Sequence, residues 1–226
     1  MNPPPITACL GLDQAAHSGW AIGVLSPKPA VVAHGVAQDV DERQRVVELA
    51  LALAGGTDAW GRFAPAPRQL LVMFEQHDHM ALDRLTRNDR RTKRQGPHFV
   101  ERGPKQIHGM GKAYGRWDEQ LDMLGHPERL RDQVEPRTWR ARVLGTTRGD
   151  TEQLKALAKA WATSYLGEPV DDADEAEGIA ICAFCLFDGI ARLEGRRRLA
   201  RLQARARRDE QKQLELGGVE GKEAVR

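Results

Sequence analysis

The sequence predicts an α/β protein built on a mixed five-stranded sheet flanked by helices. Three observations lead there: short β-compatible segments follow one another near the N-terminus, a fourth, more apolar segment stands apart from them, and the second half carries helical periodicity. Residues 6–13 (ITACLGLD), 19–26 (GWAIGVLS) and 30–37 (AVVAHGVA) are separated by Pro- and Gly-containing turns and read as consecutive antiparallel strands. Residues 41–53 open with acids and place Val46, Leu49, Ala50 and Leu53 at helical spacing before Gly55 and Gly56. QLLVMFE at 69–75 is almost wholly apolar, as a central strand covered on both faces would be, and it ends in a carboxylate.

Residues 78–103 are polar, basic and weakly periodic and read as an insertion outside the core, most distinct over 83–105. A helical pattern returns over 105–124. Residues 134–139 predict a fifth strand, which Pro136 would confine to an edge. Residues 150–166 carry a core stripe of Leu154, Leu157, Ala158, Trp161 and Tyr165, and residues 174–193 place Ala176, Ile179, Ala180, Ala183, Phe184, Phe187 and Ile190 on one helical face. Residues 194–226 lack such a face and read as a basic helical tail to a domain spanning 1–193.

Composition narrows the class. No stretch of the 226 residues has the length of a membrane span, and the N-terminus lacks a basic, then apolar leader, so we expect a soluble, cytoplasmic chain. Three cysteines make no disulfide framework; Cys182 and Cys185, a CxxC inside a helical pattern, read as buried thiols. The net charge of +2 hides two basic segments. Residues 84–116 hold ten Lys/Arg against Asp89 and Glu101, and residues 192–208 hold eight Arg against Glu194, leaving the rest acidic. Such segments beside acid-bearing elements point to a polyanion met at defined places, because cations that neutralise phosphates release counterions.

The acids that matter lie where apolar elements end, a costly place for an uncompensated charge. They are Asp13, Glu75 and the Asp174/Glu177 pair, whose i, i+3 spacing puts both on one helical face. Each alone reads as a strand-end or helix-start acid. Their order along the chain points to a shared site. If the first and fourth strands are neighbours, Asp13 and Glu75 converge. Carboxylates without a His or Cys cluster favour Mg²⁺, with Mn²⁺ as the variant, and two ions about 4 Å apart suit hydrolysis of a phosphodiester.

Here LGLDQAAHSGWAIGV resembles the first hairpin of the RuvC-like Holliday junction resolvases. VMFEQ is similar to their fourth-strand Glu motif, and DEAEGIAICAF to their closing helix, in which two acids three apart precede a small, apolar run. The match runs over roughly residues 6–190; phage-encoded members look nearest. The resemblance implies an RNase H-like fold, a homodimer, and paired metal-dependent nicks across four-way DNA that leave a 5′-phosphate and a 3′-hydroxyl. It makes Asp13, Glu75, Asp174 and Glu177 the catalytic and metal-binding residues. Glu177 stands where the family commonly has Asp, and Gln76, His77, Asp78 and His79 stand where bacterial members carry a junction-entering aromatic residue.

The long basic insertion would take over phosphate contact, through Arg84, Arg87, Arg90, Arg91, Lys93, Arg94, Lys105 and Lys112, while Arg148 and Lys155 are candidates to steady the scissile phosphate. Among the aromatics, Trp117 and Trp139 read as core, and Phe99 as core or DNA contact. The helix over 105–124 is the candidate dimer interface. Alternative functions are a branched-DNA or flap nuclease of the same fold, a non-catalytic DNA-binding module, and an actin-like or sugar-kinase-like ATPase, whose first hairpin also runs Asp, small residues, Gly. Strand cleavage separates the first from the second, and ATP hydrolysis without cleavage would establish the third.

Overall fold

A computed structural model describes residues 5–13, 17–55, 69–75 and 116–223. The chain divides into two compact units, Met1–Phe187 and Asp188–Arg226. The first holds strands β1 (Ala8–Leu12), β2 (Ser18–Val24), β3 (Ala30–Ala37), β4 (Leu70–Glu75) and β5 (Arg131–Val134). Its helices are α1 (Val40–Gly55), α2 (116–123), α3 (Pro136–Val143), α4 (Thr151–Leu166) and α5 (Ala173–Phe184). A π-helical turn, Cys185–Gly189, and α6 (Ile190–Glu223) complete the chain order.

The sheet order is β3-β2-β1-β4-β5. β2 runs antiparallel to β1 and β3, whereas β1, β4 and β5 are parallel, so the sheet is mixed as expected. Both central strands are wholly buried. Their side chains alternate. Ala8, Leu10 and Leu12 of β1 and Leu70, Val72 and Phe74 of β4 join Val46, Val47, Ala50, Leu51 and Ala54 of α1 and Trp117 and Leu121 of α2 in one core. The odd-numbered residues point to the opposite face, where Cys9 and Gly11 meet Cys182 of α5. This period of two puts Asp13 and Glu75 on the α5 side.

α5 lies unusually close to the sheet because glycines line the contact. A Cβ on Gly19 would overlap the Asp174 carbonyl group, and one on Gly178 would fall 2.6 Å from the backbone of Gly19 and Trp20. Neither backbone can yield cheaply. Asp172 caps α5, accepting from the Asp174 and Glu175 amides, and Asp150 caps α4 in a capping box with Gln153. His34 of β3 adds a bond at 2.8 Å to Glu175.

Several elements depart from expectation. The segment read as a strand over 134–139 is instead the end of β5 followed by α3: Pro136 occupies the first helical turn, where its missing N–H costs nothing. The buried face of α1 contains Arg43, Val46, Val47, Ala50 and Leu51, while Leu49 is exposed; Arg43 lies over the Trp117 ring, 5.8 Å from its centroid, so the buried face includes a cation as well as the expected apolar residues. Leu157 and Phe187 are exposed rather than in the core. The helix expected over 174–193 is broken by its π-turn. The insertion over 83–105 lies outside the described residues, as does the first part of the helix expected over 105–124. Among the described residues, no helix is long and apolar enough to cross a membrane.

Candidate metal centre

The C-terminal ends of parallel strands are where an open α/β sheet builds its sites. Asp13 follows β1 directly and Glu75 ends β4, one position beyond the Leu12–Phe74 pair. α5 brings Asp174 and Glu177 against them, its approach allowed by the glycine contact. One carboxylate oxygen each from Asp13, Asp174 and Glu177 lies within 4.8 Å of the others. Glu75 lies close enough to this group for its charge to raise the Asp13 pKa, and Arg140 links it to Glu177. Asp13, Glu75 and Glu177 are buried and Asp174 is half-buried.

The electrostatics are those of an under-neutralised cleft. Burial pushes the Asp13 carboxyl well above the usual range, and the charges of Glu75, Glu177 and Asp174 push it further. Burial and then Glu75 also raise Glu177, against the opposing pull of Arg140 and Lys155. Two cations answer this charge. Lys155 of α4 donates to Asp174 Oδ1 at 2.9 Å, and its own pKa is raised chiefly by that bond. From α3, Arg140 Nη2 donates to Glu177 Oε1 at 2.9 Å and approaches Glu75 Oε1 at 3.4 Å.

Arg140 is not visible as a site residue in the sequence because Pro136 reads there as a strand-edge signal. Taken as the first turn of a helix after a parallel strand, the same proline would place Trp139 and Arg140 beside the strand ends. Trp139, expected in the core, is fully buried, and its indole N–H also donates to Glu75 Oε1 at 3.1 Å. Arg148 is exposed between α3 and α4 and takes no part in the described bonds of the cluster. Arg84, Arg87, Arg90, Arg91, Lys93, Arg94, Lys105 and Lys112, like His77, His79 and Phe99, lie outside the described residues.

The donor set fits a hard divalent cation. It offers carboxylate oxygens alone, gathered from elements far apart in sequence, with a mutual repulsion that two side-chain cations only partly relieve.

A mixed five-stranded sheet of this order, flanked by helices, is an α/β fold of the RNase H-like kind. Among solved structures, T. thermophilus RuvC in complex with Holliday junction substrate matches with a TM-score of 0.50 at 16% identity, over 84% of this chain and 96% of that one. A second, described as the Thermus thermophilus RuvC structure, matches with a TM-score of 0.49 at 16% identity, over 81% of this chain and 97% of that one. The former likeness supports the fold. No family model and no curated protein matches the sequence.

Proposed function

We propose that the chain is a metal-dependent, structure-selective DNA endonuclease that nicks four-way junctions in pairs, acting as a homodimer. The observation that carries this reading is the convergence of Asp13, Asp174 and Glu177 within 4.8 Å at the C-terminal end of the central strand. Solved RuvC bound to a Holliday junction shares the fold, which favours branched DNA over other polyanions. The homodimer follows from the junction's symmetry, since two strands are cut.

Asp13, Glu75, Asp174 and Glu177 would hold Mg²⁺ or Mn²⁺, with two ions expected. When bound, the ions supply Lewis acidity for hydrolytic attack on a phosphodiester. Trp139 fixes the Glu75 carboxylate through its indole N–H, so that ligand need not be ordered on binding. Lys155 keeps a positive charge at the Asp174 edge, where it can meet a phosphate oxygen. Protons and cations compete at Asp13, because its environment favours the neutral form. The basic residues of 84–112 would bind the junction's phosphates.

The test is a cleavage panel of four-way junction, Y-fork, flap and linear duplex with wild type and Asp13→Asn. Symmetric junction nicks in Mg²⁺, lost in the variant, are expected. Nicks that persist in the variant would sink the mechanism, and equal cutting of linear duplex would sink the junction preference. Tight junction binding without cleavage in either metal would leave a binding module.

A further inference from the structure

Arg140 is the one cation among the described residues that bridges two of the buried acids. Its Nη2 bonds Glu177 Oε1 at 2.9 Å and lies 3.4 Å from Glu75 Oε1. A structural arginine at such a place would use its planar fork, offering parallel donors to a carboxylate. This one does not. Both contacts come from a single nitrogen, and among the described residues its Nε is buried without a hydrogen-bond partner. Its remaining support is the Trp139 ring, 5.0 Å from the guanidinium carbon. The guanidinium therefore sits where opposite charge is needed while leaving a buried donor unsatisfied, an arrangement that a better-suited cation can replace.

We propose that Arg140 is the resident counter-cation of the carboxylate cluster, bridging Glu75 and Glu177 until a divalent ion displaces it, and that it thereby sets how tightly the site binds metal. This rests on the reading of the cluster as a metal site. The Glu177 carboxylate it holds belongs to the triad that could take a hard cation, with Glu75 beside it as a proposed ligand, and an ion of double charge would outcompete a monovalent group that holds them through one nitrogen. Without the metal, Arg140 keeps the two glutamates from driving each other apart. With the metal, it is a competitor tethered at fixed effective concentration.

Isothermal titration of the full chain with Mn²⁺, without DNA, tests this alongside melting in EDTA. Arg140→Gln should bind Mn²⁺ about tenfold more tightly than wild type, a factor between the small effect of an exposed ion pair and the large one of a buried pair. It should also melt lower in EDTA and gain more from Mn²⁺. If that variant does not fold, the wild-type protein suffices: the ¹⁵N guanidinium resonance of Arg140 should move as Mg²⁺ binds. A folded variant with unchanged or weaker Mn²⁺ affinity, or an Arg140 resonance that stays in place while Mg²⁺ binds, overturns the displacement role alone. Failure of both wild type and Arg140→Gln to bind Mn²⁺ overturns the metal-site reading and this role with it.

Discussion

His126 shows how a single residue ties stability to pH. It is buried, its Nε2 donates to the Leu70 carbonyl at 3.0 Å, and its Nδ1 faces the Arg131 Nε donor at 3.4 Å. Both nitrogens are thus used by the neutral ring, and burial lowers its pKa to about 4. An unfolded His titrates near 6.5. The native state therefore binds fewer protons than the unfolded chain between those values, so this contribution is complete above about pH 6.5 and falls away as pH drops toward 4. The stability advantage of wild type over His126→Gln, read by urea unfolding, should shrink by up to about 3 kcal/mol between pH 7 and pH 4. An advantage constant across that range would show that the ring is not held neutral. Asp13 is the opposite case, a buried acid among like charges. In EDTA at pH 7, Asp13→Asn should stabilise the protein by on the order of 1–2 kcal/mol, as expected where a functional site stores repulsion. A lower melting temperature for the variant would contradict the strained cluster.

At the scale of elements, the glycine contact between α5 and the β1–β2 hairpin decides whether the acids meet. Gly178→Ala inserts a methyl against the backbone of Gly19 and Trp20. It should cost about 1–3 kcal/mol in denaturant unfolding and move Asp174 and Glu177 away from Asp13, weakening Mn²⁺ binding more than Ala substitution at the exposed Leu157 would. Equal effects of the two variants would remove the close approach from the account. Much of this element is legible in the sequence, because the small residues of GIAIC follow the paired acids directly. The apolar run of β4 and the carboxylate that ends it are legible too, but the face to which Asp13 and Glu75 belong is not, because both strands are buried on both sides. Helix phase is less so: Leu49 and Leu157 fit an apolar spacing yet face outward, since a neighbouring stripe containing Arg43 or Ala162 packs better. α3 is hidden because a proline reads equally as a strand edge or a first helical turn. Only its position after a strand parallel to β4 resolves the choice, and pairing is a long-range property.

For the whole molecule, the charge distribution sets the response to salt. Arg192, Arg196, Arg198, Arg205, Arg207 and Arg208 of α6 are exposed. With the basic residues of 84–116 they make phosphate neutralisation the main source of affinity in the proposed DNA binding. Junction affinity of Asp13→Asn, measured by fluorescence anisotropy, should fall by about 10³ or more between 50 and 200 mM salt if six or more phosphates are contacted. A nearly flat dependence would remove the basic segments from the interface. Composition suggests a polyanion but not its shape, because junction geometry would be recognised by side chains whose placement no pattern in the chain encodes.

The parallel pairing of β1 with β4, and the docking of α5 on both, carry a consequence for how the protein is made. During translation Asp13 and Glu75 emerge long before Asp174, Glu177, Arg140 and Lys155, and a ribosome must extend the chain through α5 before the carboxylates can gather. Fragments that stop short of α5 would have half of the proposed ligand set. A nascent or truncated copy of the proposed nuclease would thus lack its site for reasons of topology alone.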